Sequence, residues 1–66
     1  MKNKQEAIEM LKELMNEPIC KNIGLKMSSK GSASWKCNNP TTEQWKKIGY
    51  VSALGWAFDI VDTDFD

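Results

Sequence analysis

Cys20 and Cys37 are the thiols of the chain. Sixteen residues lie between them, a spacing that matches no zinc motif, and two ligands are too few for a structural site within one chain. Three roles stay open to the pair: separate reduced thiols, a disulfide, or ligands to a metal shared across a dimer. Histidine is absent, which removes imidazole metal sites and every nucleophile that depends on a His base. The carboxylates of Glu6, Glu9, Glu13 and Glu17 fall on one solvated helix face, where paired-carboxylate hydrolysis finds no cleft. No phosphate-cradling glycine loop, nucleophile elbow or zinc-protease helix motif occurs. A non-enzymatic protein without a cofactor or metal is the expectation.

Charge is the more informative chemistry. Nine Lys, no Arg and nine acidic residues sum to zero. The total conceals a division. Residues 1–17 carry net −1, residues 18–47 net +5 and residues 48–66 net −4. The basic region holds Lys21, Lys26, Lys30, Lys36, Lys46 and Lys47, with Trp35 and Trp45 among them. Lys21, Lys26, Lys30 and Lys36 with Trp35 could follow a phosphate backbone, as single-strand binders do with cations and interleaved aromatics. They could equally be solvating lysines that guard a sheet edge. Without Arg there is no guanidinium for bidentate reading of a base or phosphate.

The acidic region holds Asp59, Asp62, Asp64 and Asp66, with Phe65 among them. In an extended strand Asp62, Asp64 and Asp66 would share one face, a strip able to imitate phosphates in a partner's basic groove. An ordinary acidic terminus and pairing with the chain's own lysines are the alternatives. A calcium loop lacks its glycine and closing Glu. Phe65 could anchor a partner or close the core edge.

These groups need elements to hold them. Ala7, Ile8, Met10, Leu11, Leu14 and Met15 recur at helical spacing, with Asn3 and Glu6 forming a capping pair. This predicts a helix over 3–16, stopped at Asn16 and Pro18. Residues 21–37 read as a β-hairpin. Ile23, Leu25 and Met27 face Cys37, Trp35 and Ala33, and Gly31 takes the left-handed position of the turn. Thr41 with Gln44 opens a second helix over 41–54, with Trp45, Ile48, Val51 and Leu54 buried and Gly55 as its stop. A strand comes next, over 56–62. The even-numbered apolar residues from Ile48 to Ile60 also permit a longer strand.

The sum is an α+β fold, one small domain over 1–66 in α-β-β-α-β order. It has a three-stranded, mostly antiparallel sheet packed by two helices, and 62–66 as a frayed tail. Sixty-six residues bury a limited core. Three Trp, two Phe and one Tyr would compensate by filling it, and Trp45→Ala would then cost about 3–5 kcal/mol.

Apolar runs are too short to span a membrane, and the charged N-terminal stretch has no signal-peptide core. A cytoplasmic protein making no membrane contact is expected. The leading functional expectation is a protein-binding module, of the kind a phage or mobile element uses to inhibit a host factor or defence system. Asp59, Asp62, Asp64, Phe65 and Asp66 are its contact strip. The alternatives are a nucleic-acid binder using the lysine hairpin, and an oligomer holding a small ligand such as a nucleotide between subunits. A homodimer is compatible with the small core.

Overall fold

Asn3 opens the first helix, its Oδ1 accepting the Glu6 backbone N–H at 2.9 Å. The computed structural model describes residues 3–65. Helix α1 spans Lys4–Met15 and buries Ala7, Ile8 and Leu11. Asn16 ends it by donating to the carbonyls of Lys12 and Glu13. Pro18 then starts a short second helix, α2 (Pro18–Asn22), an element the sequence pattern does not predict. Proline suits that position because its missing N–H is unpaired there in any case.

The hairpin is real but small. Strand β1 is Lys26–Met27 and strand β2 is Ala33–Ser34, antiparallel, with Met27 opposite Ala33 and Lys26 opposite Ser34. That is the register required to put both apolar sets on one face. It slips by one residue further out, where the Lys36 N–H donates to Ile23 O at 2.8 Å. Ser28 Oγ accepts from the N–H groups of Lys30 and Ser32, tightening a turn in which Gly31 adopts φ +82°.

Helix α3 runs Thr42–Phe58. Thr41 and Gln44 form the full capping box. Their two bonds measure 2.8 and 3.2 Å. The helix does not stop at Gly55, and the strand expected over 56–62 does not form. Gly55 lies on the buried face with Ile48 and Val51. The stop comes four residues later, where Asp59 turns left-handed (φ 53°) and the Ile60 N–H reaches back to Gly55 O at 3.0 Å. That pairing is the six-to-one bond of a Schellman end. Asp62–Phe65 then form a 3-10 turn. The expected three-stranded sheet with two helices is therefore corrected, among the described residues, to three α-helices and a two-stranded hairpin. Residues 62–65 belong to this framework, Phe65 packing against the core.

Helical pairing wins over 56–58 because the hairpin turn docks on the last turns of α3. A Cβ on Gly55 would stand 2.9 Å from Gly31 O and 2.6 Å from Met27 Cε. A Cβ on Gly31 would stand 3.2 Å from Ile60 O. The Asp62 N–H donates to Ser28 O at 3.2 Å. Two glycines thus let backbone meet backbone where any side chain would separate the hairpin from α3.

The core among the described residues is aliphatic: Ala7, Ile8, Leu11, Cys20, Ile23, Leu25, Met27, Ile48, Val51 and Ile60. No aromatic is fully buried in it. Trp45, expected inside, is half exposed, so the expected loss of about 3–5 kcal/mol for its removal, which assumes a buried aromatic, does not apply.

The two helical glycines should respond oppositely to alanine. Nothing in the chain lies within 4 Å of a Cβ on Gly49, so in dilute, monomeric solution Gly49→Ala should stabilise the fold by about 0.5–1 kcal/mol through helix propensity. Gly55→Ala gains the same propensity and should nevertheless destabilise, because Gly31 O cannot retreat without moving the turn. Urea melts of both variants check this. Equal stabilisation would mean the turn does not sit on Gly55.

Candidate functional site

The acidic residues do not form the strip their alternation suggested. A 3-10 turn advances about 120° per residue, so Asp62 and Asp64 point apart. Asp64 is occupied: its carboxylate accepts the Val61 N–H at 2.8 Å and pairs with Lys4 Nζ at 3.5 Å. Asp62 Oδ1 accepts the Thr63 N–H. Asp62 sits on the rim of an open groove of about 320 Å³, shared with Lys12 and Lys26 and floored by Met15, Leu25, Met27 and Phe65. Asp59 is exposed at the end of α3, where its left-handed backbone caps the helix. Phe65 closes the core edge. Asp66 lies outside the described residues.

Lys26, Lys30 and Lys36 are exposed, as alternation predicts. Lys21 is exposed too, but it lies on α2 and not on the expected hairpin. Their aromatic companion is half-buried and lines an open groove beside Lys30. Trp35 packs against the core and meets the Trp45 ring edge-on, centroids 5.5 Å apart and planes at 75°. The other two basic-region lysines are paired, Lys47 with Glu17 at 3.1 Å and Lys46 with Glu43 at 3.7 Å.

The thiols stay separate. Cys20 is buried in the core and Cys37 is half-buried, both unbridged. Burial pushes the Cys20 thiol up, Glu17 adds to the rise and Lys47 opposes it. A raised value keeps sulfur protonated at neutral pH, the reverse of what a nucleophile needs. Among the described residues no three Cys, Asp or Glu come together as a metal site.

The surface that sequence reasoning missed is the outer face of α3. From Ile48 to Phe58 the chain carries no charge. Ile48, Val51 and Gly55 turn inward. The opposite face presents Trp56 at 83% exposure, Trp45 at 50% and Tyr50 at 47%. Gly49, Ala53 and Ala57 are exposed between them. Contiguous exposed apolar patches mark interaction sites, and Trp and Tyr are among the residue types most enriched at binding hot spots. The signal was present in the sequence. Trp45 and Trp56 are eleven residues apart, three helical turns, and so share a face once the helix is extended through Gly55.

No helix among the described residues is long and apolar enough to cross a membrane. No family model matches the chain, and neither a curated protein nor a solved structure matches it.

Cys37 should react with a disulfide reagent in native buffer, and Cys20 only after denaturant is added. Cys37→Ser should abolish the native reaction. The shifted thiol also sets a pH dependence. The folded chain keeps a proton on Cys20 that the unfolded chain releases above about pH 8.5, so stability should fall as pH rises past that point. Urea midpoints that fall with rising alkalinity in the native chain, and lose that trend in Cys20→Ala, would fit. A trend unchanged in Cys20→Ala would place its origin elsewhere.

Proposed function

We propose that this chain is a non-catalytic protein-binding module whose contact surface is the outer face of α3. One observation carries the reading: Trp56 stands 83% exposed on a helix face whose stretch from Ile48 to Phe58 carries no charge. Leaving a large aromatic in water forgoes stabilisation that a chain with so small a core needs, and a protein partner recovers it on binding. The face also carries small residues beside large ones, the relief that interface cores use to interlock. Action by occupying another protein's surface needs no catalytic group, and inhibition of a host factor is one form such action takes. Asp59, at the end of this face, is the acidic residue placed to steer docking.

A tagged chain immobilised and challenged with nuclease-treated bacterial lysate, supplemented with an untagged copy of the chain, tests the reading. The wild type should retain protein, whether from the lysate or the untagged copy. Trp56→Lys should lose what it retained. Lys26→Glu, Lys30→Glu and Lys36→Glu together should keep it. Retention that survives Trp56→Lys, or that disappears on nuclease treatment, would contradict the reading and in the second case favour the lysine hairpin. A bait that retains nothing contradicts it too.

A further inference from the structure

We infer that the partner of the α3 face is a second copy of this chain, the two α3 helices packing antiparallel about a two-fold axis. This rests on the reading of that face as a protein-binding surface. The face is self-complementary in shape and in charge within a single register.

Helix α3 has seventeen residues and is about 25 Å long at 1.5 Å per residue. On its outer face, place Ser52 of one copy opposite Ala53 of the other. Antiparallel geometry then fixes the remaining pairs. Gly49 falls opposite Trp56, and by symmetry Trp56 opposite Gly49. Gly49 is exposed with nothing within 4 Å of its missing Cβ, so it offers the depression that the projecting Trp56 indole requires. Large-into-small interlocking at both ends of one contact is the pattern of close helix packing.

The same register treats charge consistently. It brings Lys46 of one copy opposite Asp59 of the other, twice. Lys46 is exposed and held in its own chain by an exposed pair with Glu43 at 3.7 Å, a contact of little energy. Asp59 is exposed at the opposite end of the helix. Along α3 itself Lys46 and Lys47 stand with Glu43 toward the N-terminal end, and Asp59 follows the C-terminal end. Antiparallel pairing sets each basic end beside an acidic end and opposes the two helix dipoles, whereas parallel pairing sets like beside like. Glu43 lines the groove toward α1 with Glu13 and Glu17, and Lys46 and Tyr50 border both that groove and the outer face. A foreign partner would have to supply both halves of this match, and this chain already carries them in the order that two-fold symmetry demands.

Sedimentation equilibrium over a wide concentration range, on variants verified as folded by circular dichroism, tests the pairing. The wild type should show a monomer–dimer equilibrium. Trp56→Lys should weaken it by roughly tenfold or more, as loss of an aromatic anchor does. Trp56 contributes little to the core, so this variant should keep the wild-type dichroism spectrum. Lys46→Glu should weaken association less. The charge swap Lys46→Glu with Asp59→Lys should restore it, a recovery specific to the antiparallel register. A wild type that remains monomeric throughout overturns the self-pairing. If lysate proteins are still retained through Trp56 in that case, the protein-binding reading stands and the partner is foreign. Dimers indifferent to Trp56→Lys, or a charge swap that recovers nothing, overturn it also.

Discussion

Everything in this fold depends on the approach of the 28–32 turn to the last turns of α3. Gly31 and Gly55 have no side chains, so the carbonyl of one can lie 2.9 Å from where a Cβ of the other would stand. That contact settles the rotation of α3 about its own axis. With Gly55 inward, Ile48 and Val51 must also be inward, because they lie seven and four residues earlier on the same face. Trp45, Gly49, Ala53 and Trp56 are then necessarily outward. The buried face and the exposed aromatic face are two consequences of one packing choice.

The result inverts the usual arrangement for a small domain. Aliphatic side chains from α1, α2, the hairpin and α3 make the core, and the largest aromatics are left at or near the surface. Trp35 and Trp45 are a transition between the two, touching edge to face with Trp35 still packed on the core. A chain of this length buries little of its own surface. Placing its richest apolar groups outside makes sense if they are buried by association, and the α3 face is where that would happen.

Much of this was legible in the sequence. The caps at Asn3 and Thr41, the α1 stripe, the Met27–Ala33 register and the left-handed Gly31 follow from local chemistry, which a single chain displays openly. The error lay at Gly55. Glycine is the commonest residue just past a helix end, so local reasoning stops the helix there. The true reason for this glycine is a non-local contact with Gly31 and Met27, and no pattern within the helix displays it. Ending α3 early hid the shared face of Trp45 and Trp56 and released residues 56–62 to be read as a strand. The acidic strip failed for the same reason, since its common face required an extended backbone. Helix α2 was missed because Pro18 is at once a stop signal for α1 and the first residue of α2.

The outward position of Trp56 is the claim on which the account stands. Acrylamide quenching of a chain with Trp35→Phe and Trp45→Phe, so that Trp56 alone emits, tests it directly. In dilute solution its quenching should come close to that of the same chain in denaturant. Strong protection of Trp56 in dilute solution, with the fold intact by circular dichroism, would contradict it, because α3 would then present a different face to solvent.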